Sequence, residues 1–387
     1  MRGHGERSMQ HRGSAGKRFP PVRRSATAPF EWGMSGGSEF FRIGLAVPMC
    51  GAAGLWGPSS IASAQLAVAE INEQGGIGGR EASLVLVDAA EEVAAEAVSV
   101  TDSLIENGEI DAIVGMHISA MRQRLAHLVA GRVPYIYTPL YEGNENTPGV
   151  FAIGETSDGE IQPAIRRISE LHRVRRWALI GNDYVWPRVA HDFARTALQQ
   201  CGGDLVMERF LPFGSRALRR AVTDLAGSGA EAVLVSLIGQ DAVDFHRCFG
   251  ALDLDRRIIR LTSAFEENAL LATGGRNAKR LYAVASYFGA LQTHENQSFR
   301  EKYHALHGDR APMLNALGQS IYEGTHFLHA LARREGVGRE TLSGKRLAPL
   351  PYKSARRAIY AGNSGRKAAA YLARADGHLF DVLERLG

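Results

Sequence analysis

RIGLAVPMCGAAGLWGPSSIASAQLAVAEINEQGGIGG, residues 42–79, contains a strand, a loop, a helix and a turn in one run. Arg42–Val47 is short and mostly apolar, as a buried strand is. Gly51–Gly57 is too rich in glycine for either regular element. Ile61, Ala64, Val68 and Ile71 then recur at helical spacing, behind Ser59 or Ser60 as N-cap. Gly75-Gly76-Ile77-Gly78-Gly79 ends that helix, because glycine takes the left-handed conformations of a helix stop and a turn. This is the opening unit of an α/β fold with a parallel sheet.

The rhythm continues downstream. Ser83–Val87, Ala112–Val114 and Pro134–Tyr137 read as strands, with helices near 92–107 and 119–130 between them. Thr138–Gly149 is rich in Pro, Gly and Asn and carries no period. A second run starts with a helix near 158–172, whose Ile161, Ile165, Ile168 and Leu171 should share a face. It proceeds through strands Trp177–Ile180, Leu205–Phe210, Ala232–Ser236, Arg257–Leu261 and Tyr282–Ala285. Helices are expected near 187–200, after Ser215 as cap, near 241–251 and near 313–333. Two runs joined near 140–155 predict two similar lobes, each a parallel sheet flanked by helices. Residues 41–150 plus about 287–340 form one lobe, 151–286 the other, and 341–387 belong to neither by sequence alone. Ligands of open α/β sheets sit beyond the carboxyl ends of the strands, so the cleft between lobes is the expected site.

Composition bounds the function. The chain has 387 residues, 45% hydrophobic and 22% charged, which suits a globular protein of two domains. Its formal charge is +4, but residues 1–24 alone carry +6, with seven basic side chains against one acid, which leaves −2 for the rest. The body is mildly acidic, which argues against direct nucleic-acid binding. Residues 1–40 read as a disordered basic tail, and translation starting at Met34 is compatible with the pattern. No apolar run is long enough to span a membrane. Val47-Pro48-Met49-Cys50 resembles a lipoprotein cleavage site only weakly, since Met precedes the cysteine and Arg42 interrupts the apolar approach. The absence of a recognisable export signal predicts a cytoplasmic protein, with an extracytoplasmic one as the alternative.

Catalytic signatures are missing: no phosphate loop, no GxSxG elbow, no HExxH helix and no cysteine pair with metal spacing. His304 and His307 are three apart and would share a face if helical, but no third ligand is evident. Glu266 and Glu267 are adjacent and point apart on a helix. The expectation is a binder with no catalytic residue, cofactor or metal.

Several of these segments together resemble a known family. Gly44-Leu45, Ala69-Glu70-Ile71-Asn72 and the Gly75–Gly79 turn resemble the opening of type I periplasmic-binding-protein folds of the Leu/Ile/Val-binding group. Val114-Gly115, Ser119, Tyr137, Tyr141-Glu142-Gly143 and Gly181-Asn182-Asp183-Tyr184-Val185-Trp186-Pro187-Arg188 resemble more narrowly its amide- and urea-binding branch. That branch includes a cytoplasmic sensor regulating aliphatic amidase expression and urea-binding components of ABC transporters. The resemblance implies a clamshell closing on a small neutral amide, a urea-like molecule or an amino acid. It places His117, Ser119, Tyr137, Thr138 and Pro139 on one side of the cleft and Tyr184, Trp186, Gly239 and Glu266 on the other. Ser119 either receives the ligand's carbonyl or caps its helix, and one hydroxyl can serve both. Tyr184 and Trp186, two apart in an extended segment, would form two walls on one side.

His117 stands where the amide sensor has a tyrosine, and Tyr137-Thr138-Pro139 alters its residue order. A neutral His117 near its ordinary pKa would make affinity depend on pH around 6.5. The implied partners are an antiterminator-like regulator for a sensor, or an ABC permease for a transport component; a homo-oligomer is compatible with both.

Overall fold

The computed structural model describes residues 22–23, 39–214, 216–335, 349–360 and 368–386. The first sheet begins with two residues, β1 (Val22–Arg23), which pair with Leu84 and Val85. The rest of the proposed basic tail before Glu39 lies outside the described residues.

From Phe40 the expected alternation is present. β2 (Phe40–Val47) leads through the glycine loop to α1 (Gly57–Glu73), then β3 (Glu81–Asp88), α2 (Ala94–Glu106), β4 (Ala112–Gly115), α3 (Ser119–Val129), β5 (Tyr135–Tyr137) and β6 (Val150–Ala152). The second run is α4 (Ser157–His172), β7 (Arg176–Asn182), α5 (Val185–Cys201), β8 (Asp204–Leu211), α6 (Leu218–Gly227), β9 (Ala232–Ser236), α7 (Gly239–Ala251), β10 (Ile259–Thr262), α8 (Glu267–Thr273) and β11 (Leu281–Ala285). α9 (His294–His307) and α10 (Ala316–Glu335) return to pack on α1. The short pair β12 (Leu350–Pro351) and β13 (Ile359–Tyr360) follows. Tyr360 of that pair stacks on Phe151 and Phe327 of the first lobe. The hairpin β14 (Ala370–Asp376) and β15 (Leu379–Leu386) then pairs antiparallel with β11.

Sheet one runs β1-β3-β2-β4-β5-β6, all parallel, and sheet two β15-β14-β11-β10-β9-β7-β8. Their central strands are buried on both faces, which is why β2, β4 and β9 read as near-continuous apolar runs rather than as alternations. Without the edge additions, both sheets have the same order: second strand, first, third, fourth, fifth. The order reverses between β2 and β4 and again between β7 and β9. A crevice opens at such a reversal, beyond the carboxyl ends of the strands. The two crevices face each other here.

Three chain crossings join the lobes: after β6, after β11 and before β14. One guanidinium ties them together. Arg356 pairs with Glu155 at 2.5 Å and Glu323 at 2.8 Å and donates to Ser286. Glu155 follows β6, Ser286 follows β11, and Arg356 lies between β12 and β13, ahead of the third crossing.

Some local expectations change. Ser59 and Ser60 lie inside the first turn of α1, and both hydroxyls donate to the Trp56 carbonyl rather than capping the helix. Leu171 is 44% exposed while Ile161, Ile165 and Ile168 are buried. Leu171 points in the same direction as the buried Glu160 and Ala164 but lies in the last turn of α4, at the helix end. Ser215, the expected cap of α6, lies outside the described residues. β6, α8, α9 and the β14–β15 hairpin were not expected from the sequence.

Candidate functional site

The loops beyond β2, β4, β7 and β9 meet in a closed interface between the lobes. Gln240 N donates to the Ala52 carbonyl at 2.8 Å, and Asn268 Nδ2 to the Leu55 carbonyl at 2.8 Å. Trp56 Nε1 donates to Glu266 at 3.2 Å. Behind these contacts is an aromatic chamber. The first lobe supplies Trp56, His117, Ser119 and Tyr137; the second supplies Tyr184, Trp186 and Glu266. The space open to the centre of a water molecule is about 20 Å³, so anything much larger enters only when the lobes part.

Ser119 is the first residue inside α3, where its hydroxyl makes no capping bond. Its Oγ is buried beside the Tyr137 hydroxyl without a hydrogen bond of standard geometry, and Trp186 Nε1 from the opposite lobe is buried with no partner. Buried polar atoms are rarely left this way, because each forfeits its hydrogen bonds to water. Tyr184 precedes α5 and Trp186 lies in its first turn, so they do not share an extended segment as expected. Their rings nevertheless both line the chamber, with centroids 6.3 Å apart. The N-termini of α3, α5 and α7 add partial positive charge on the cleft side.

His117 is 1% exposed and held at both nitrogens. Nδ1 lies 3.2 Å from the Ile118 carbonyl and Nε2 2.9 Å from the Tyr135 hydroxyl. The carbonyl can only accept, so Nδ1 carries the proton and Nε2 accepts from the phenol. Burial pushes the pKa down to about 4, and nearby Arg122 acts in the same direction. This corrects the expected titration near 6.5. NMR titration of the His117 ring should show it neutral at pH 6, and a midpoint near 6.5 would contradict the burial.

Glu266 is 5% exposed, and among the described residues no Lys or Arg pairs with it. Burial raises its pKa to about 7, and Glu267 beside it adds to the shift. Tyr137 donates to the His117 carbonyl at 2.8 Å. Pro139 lines the chamber, but Thr138 turns away and bonds Ser320 at 2.9 Å. Gly239 touches the facing loop rather than the chamber: a Cβ there would lie 1.9 Å from the Ala52 carbonyl oxygen. Tyr141 and Glu142 belong to a loop clamped by Arg122, which pairs with Glu142 and Glu145 and lies over the Tyr137 and Tyr141 rings.

Sequence reading missed Trp56, although it lies in the glycine loop at the end of β2, a position as exposed to the cleft as Ser119. It also missed Arg356. No group of three or more His, Cys, Asp or Glu fit to hold a metal occurs among the described residues. His307 instead bonds the Ala62 carbonyl at 2.9 Å.

The architecture is that of known solute-binding proteins. An ABC-transporter solute-binding protein from R. palustris, in complex with 4-hydroxybenzoate, superposes with a TM-score of 0.76 at 15% identity, covering 90% of this chain and 97% of its own. The branched-chain amino acid substrate-binding protein LivJ from Streptococcus pneumoniae, in complex with isoleucine, gives 0.74 at 18%, covering 89% and 99%. A substrate-binding protein from Sphaerobacter thermophilus gives 0.71 at 21%, covering 90% and 98%. In sequence, residues 41–376 match the periplasmic binding protein family across nearly all of the two-lobed body, and the chain belongs to that family.

Proposed function

We propose that the chain is the ligand-capturing component of an ABC importer, working outside the cytoplasmic membrane and closing on an α-amino acid. One observation carries the ligand class. The chamber presents unpartnered donors from both lobes, Ser119 Oγ and Trp186 Nε1, together with a buried carboxyl that lacks a cation. A carboxylate satisfies the donors, and an ammonium satisfies Glu266 between aromatic faces. A neutral amide would fill the donors but leave Glu266 unpaired, so the amide-sensor reading has less behind it. The solute-binding proteins that share the fold favour a transport role and an extracytoplasmic location over a cytoplasmic sensor with an antiterminator-like partner.

The test is a thermal-shift screen against amino acids, small amides and urea. Ligand at 100 times its Kd adds about 2.7 kcal/mol of stability, a rise of roughly 3 °C for a chain of this size. Shifts with amides alone would overturn the amino-acid reading. Glu266→Gln should lose at least about tenfold in amino-acid affinity, since its one lost charge pair is desolvated. Ser119→Ala should cost about 0.5–1.5 kcal/mol of binding by calorimetry.

The ion pair also sets a pH dependence. An ammonium needs Glu266 ionised, so affinity should be flat above pH 7 and fall by up to about tenfold per unit below it. Constant affinity from pH 8 down to 5.5 would remove Glu266 from the ligand's charge partners.

A further inference from the structure

A second chamber adjoins the first at the hinge, and Glu266, Pro139, Leu140 and Leu317 line both. It offers about 40 Å³ to the centre of a water molecule. Its polar wall is made of Glu155, Glu160, Glu267, Ser263, Ser286 and Arg356. The charges do not balance. Arg356 spends its Nε and Nη1 on Glu323, Glu155 and Ser286, and its buried Nη2 has no partner. Glu160 is 3% and Glu267 8% exposed, and among the described residues neither forms an ion pair. Glu267 has only a backbone donor at 2.7 Å, from Gly289. Ser263 Oγ, on a residue 5% exposed, lines the same space without a partner. Buried carboxyls are ordinarily paired or metal-bound, and an excess of this kind is stable only when protonated or met by a cation. Phe265, Tyr287 and Leu317 supply apolar wall between the polar groups.

We infer that this chamber is a distal subsite for a cationic side chain, so that the amino acid bound is a basic one carrying a second ammonium or a guanidinium. Glu266 holds the α-ammonium where the chambers meet. The methylene stem then runs along the apolar wall, and the distal cation reaches Glu160, Glu267 and the Ser263 hydroxyl. Two carboxylates gain a direct ion pair, where the fold offers only the more distant charges of Arg356 and Arg300.

The inference rests on the amino-acid reading above, and one experiment separates their failures. The purified full chain is titrated calorimetrically with lysine, ornithine and arginine and with their uncharged counterparts norleucine, glutamine and citrulline. A basic ligand should bind at least about tenfold more tightly than its counterpart, and Glu160→Gln should shrink that ratio several-fold. Glu267→Gln is the second variant, in case loss of Glu160 impairs folding. Equal or tighter binding of the uncharged set would overturn the subsite and leave the amino-acid reading standing. Absence of binding by all six would overturn both.

Discussion

Gly239→Val should leave each lobe folded and keep the two from closing. Gly239 has φ +53°, a conformation that costs a branched residue about 1–2 kcal/mol. A Cβ would also lie 1.9 Å from the Ala52 oxygen and 2.8 Å from its carbon, both backbone atoms of the facing lobe. Neither can step aside as a flexible side chain would. The lobes must separate locally, and the bonds Gln240–Ala52, Trp56–Glu266 and Asn268–Leu55 go with the contact. Three hydrogen bonds at about 0.5–1.5 kcal/mol net each give roughly 2–4 kcal/mol against closure. That is about a 30- to 1000-fold loss of ligand affinity. Small-angle scattering should show a larger radius of gyration with ligand than the parent protein has. Unchanged affinity and an unchanged radius would mean that this contact is not part of the bound form.

Arg356→Met should be the most destabilising single change at the hinge. The Arg356 side chain is 3% exposed and its partner Glu323 is fully buried. Removing the cation strands the buried Glu323 and the nearly buried Glu155 without their counter-ion, a loss of about 3–5 kcal/mol. With roughly 2 cal/mol/K of unfolding entropy per residue, the Tm should fall by about 4–6 °C. Pairing the change with Glu323→Met should recover most of the loss, because burying apolar groups of similar size costs less than burying an unpaired charge. A calorimetric scan in which the double variant is no more stable than the single one would place the energy elsewhere.

The alternation of strand and helix is legible because doubly covered strands must be apolar throughout, as β2 and β9 are, and surface helices must show a stripe, as α4 does. Short strands at a sheet's far side carry too little pattern: β6 is three residues, Val150–Ala152, inside a segment dominated by Pro and Gly. β14 and β15 mix Arg, Asp and Glu with apolar residues because the hairpin sits at the sheet edge, so they read as polar surface. At the site, Ser119, Tyr184 and Trp186 were legible from their places at strand ends. Thr138 faces the hinge chamber and Gly239 the opposing loop, since facing within a loop depends on single dihedral angles that spacing does not record. His117 shows the same limit for chemistry. Its identity gave a pKa near 6.5, and only the packing of Tyr135, Ile118 and Arg122 around it gives about 4. Glu155, Ser286, Glu323 and Arg356 are far apart in sequence, and nothing in their spacing announces that one guanidinium collects the other three.

The order in which the chain supplies its parts has a consequence for synthesis. The last strand of the first sheet is complete by Ala152, yet α10, which covers α1 and packs on β4 and β5, begins only at Ala316. The second sheet likewise awaits its terminal hairpin, which ends at Leu386. At about 5–20 residues per second, roughly 10–30 s separate the first lobe's strands from the helix that seals them. A nascent chain of 315 residues therefore holds two unfinished cores, each with apolar surface for a chaperone to hold. Pulse proteolysis of stalled nascent chains should find neither lobe resistant until nearly the whole polypeptide has emerged.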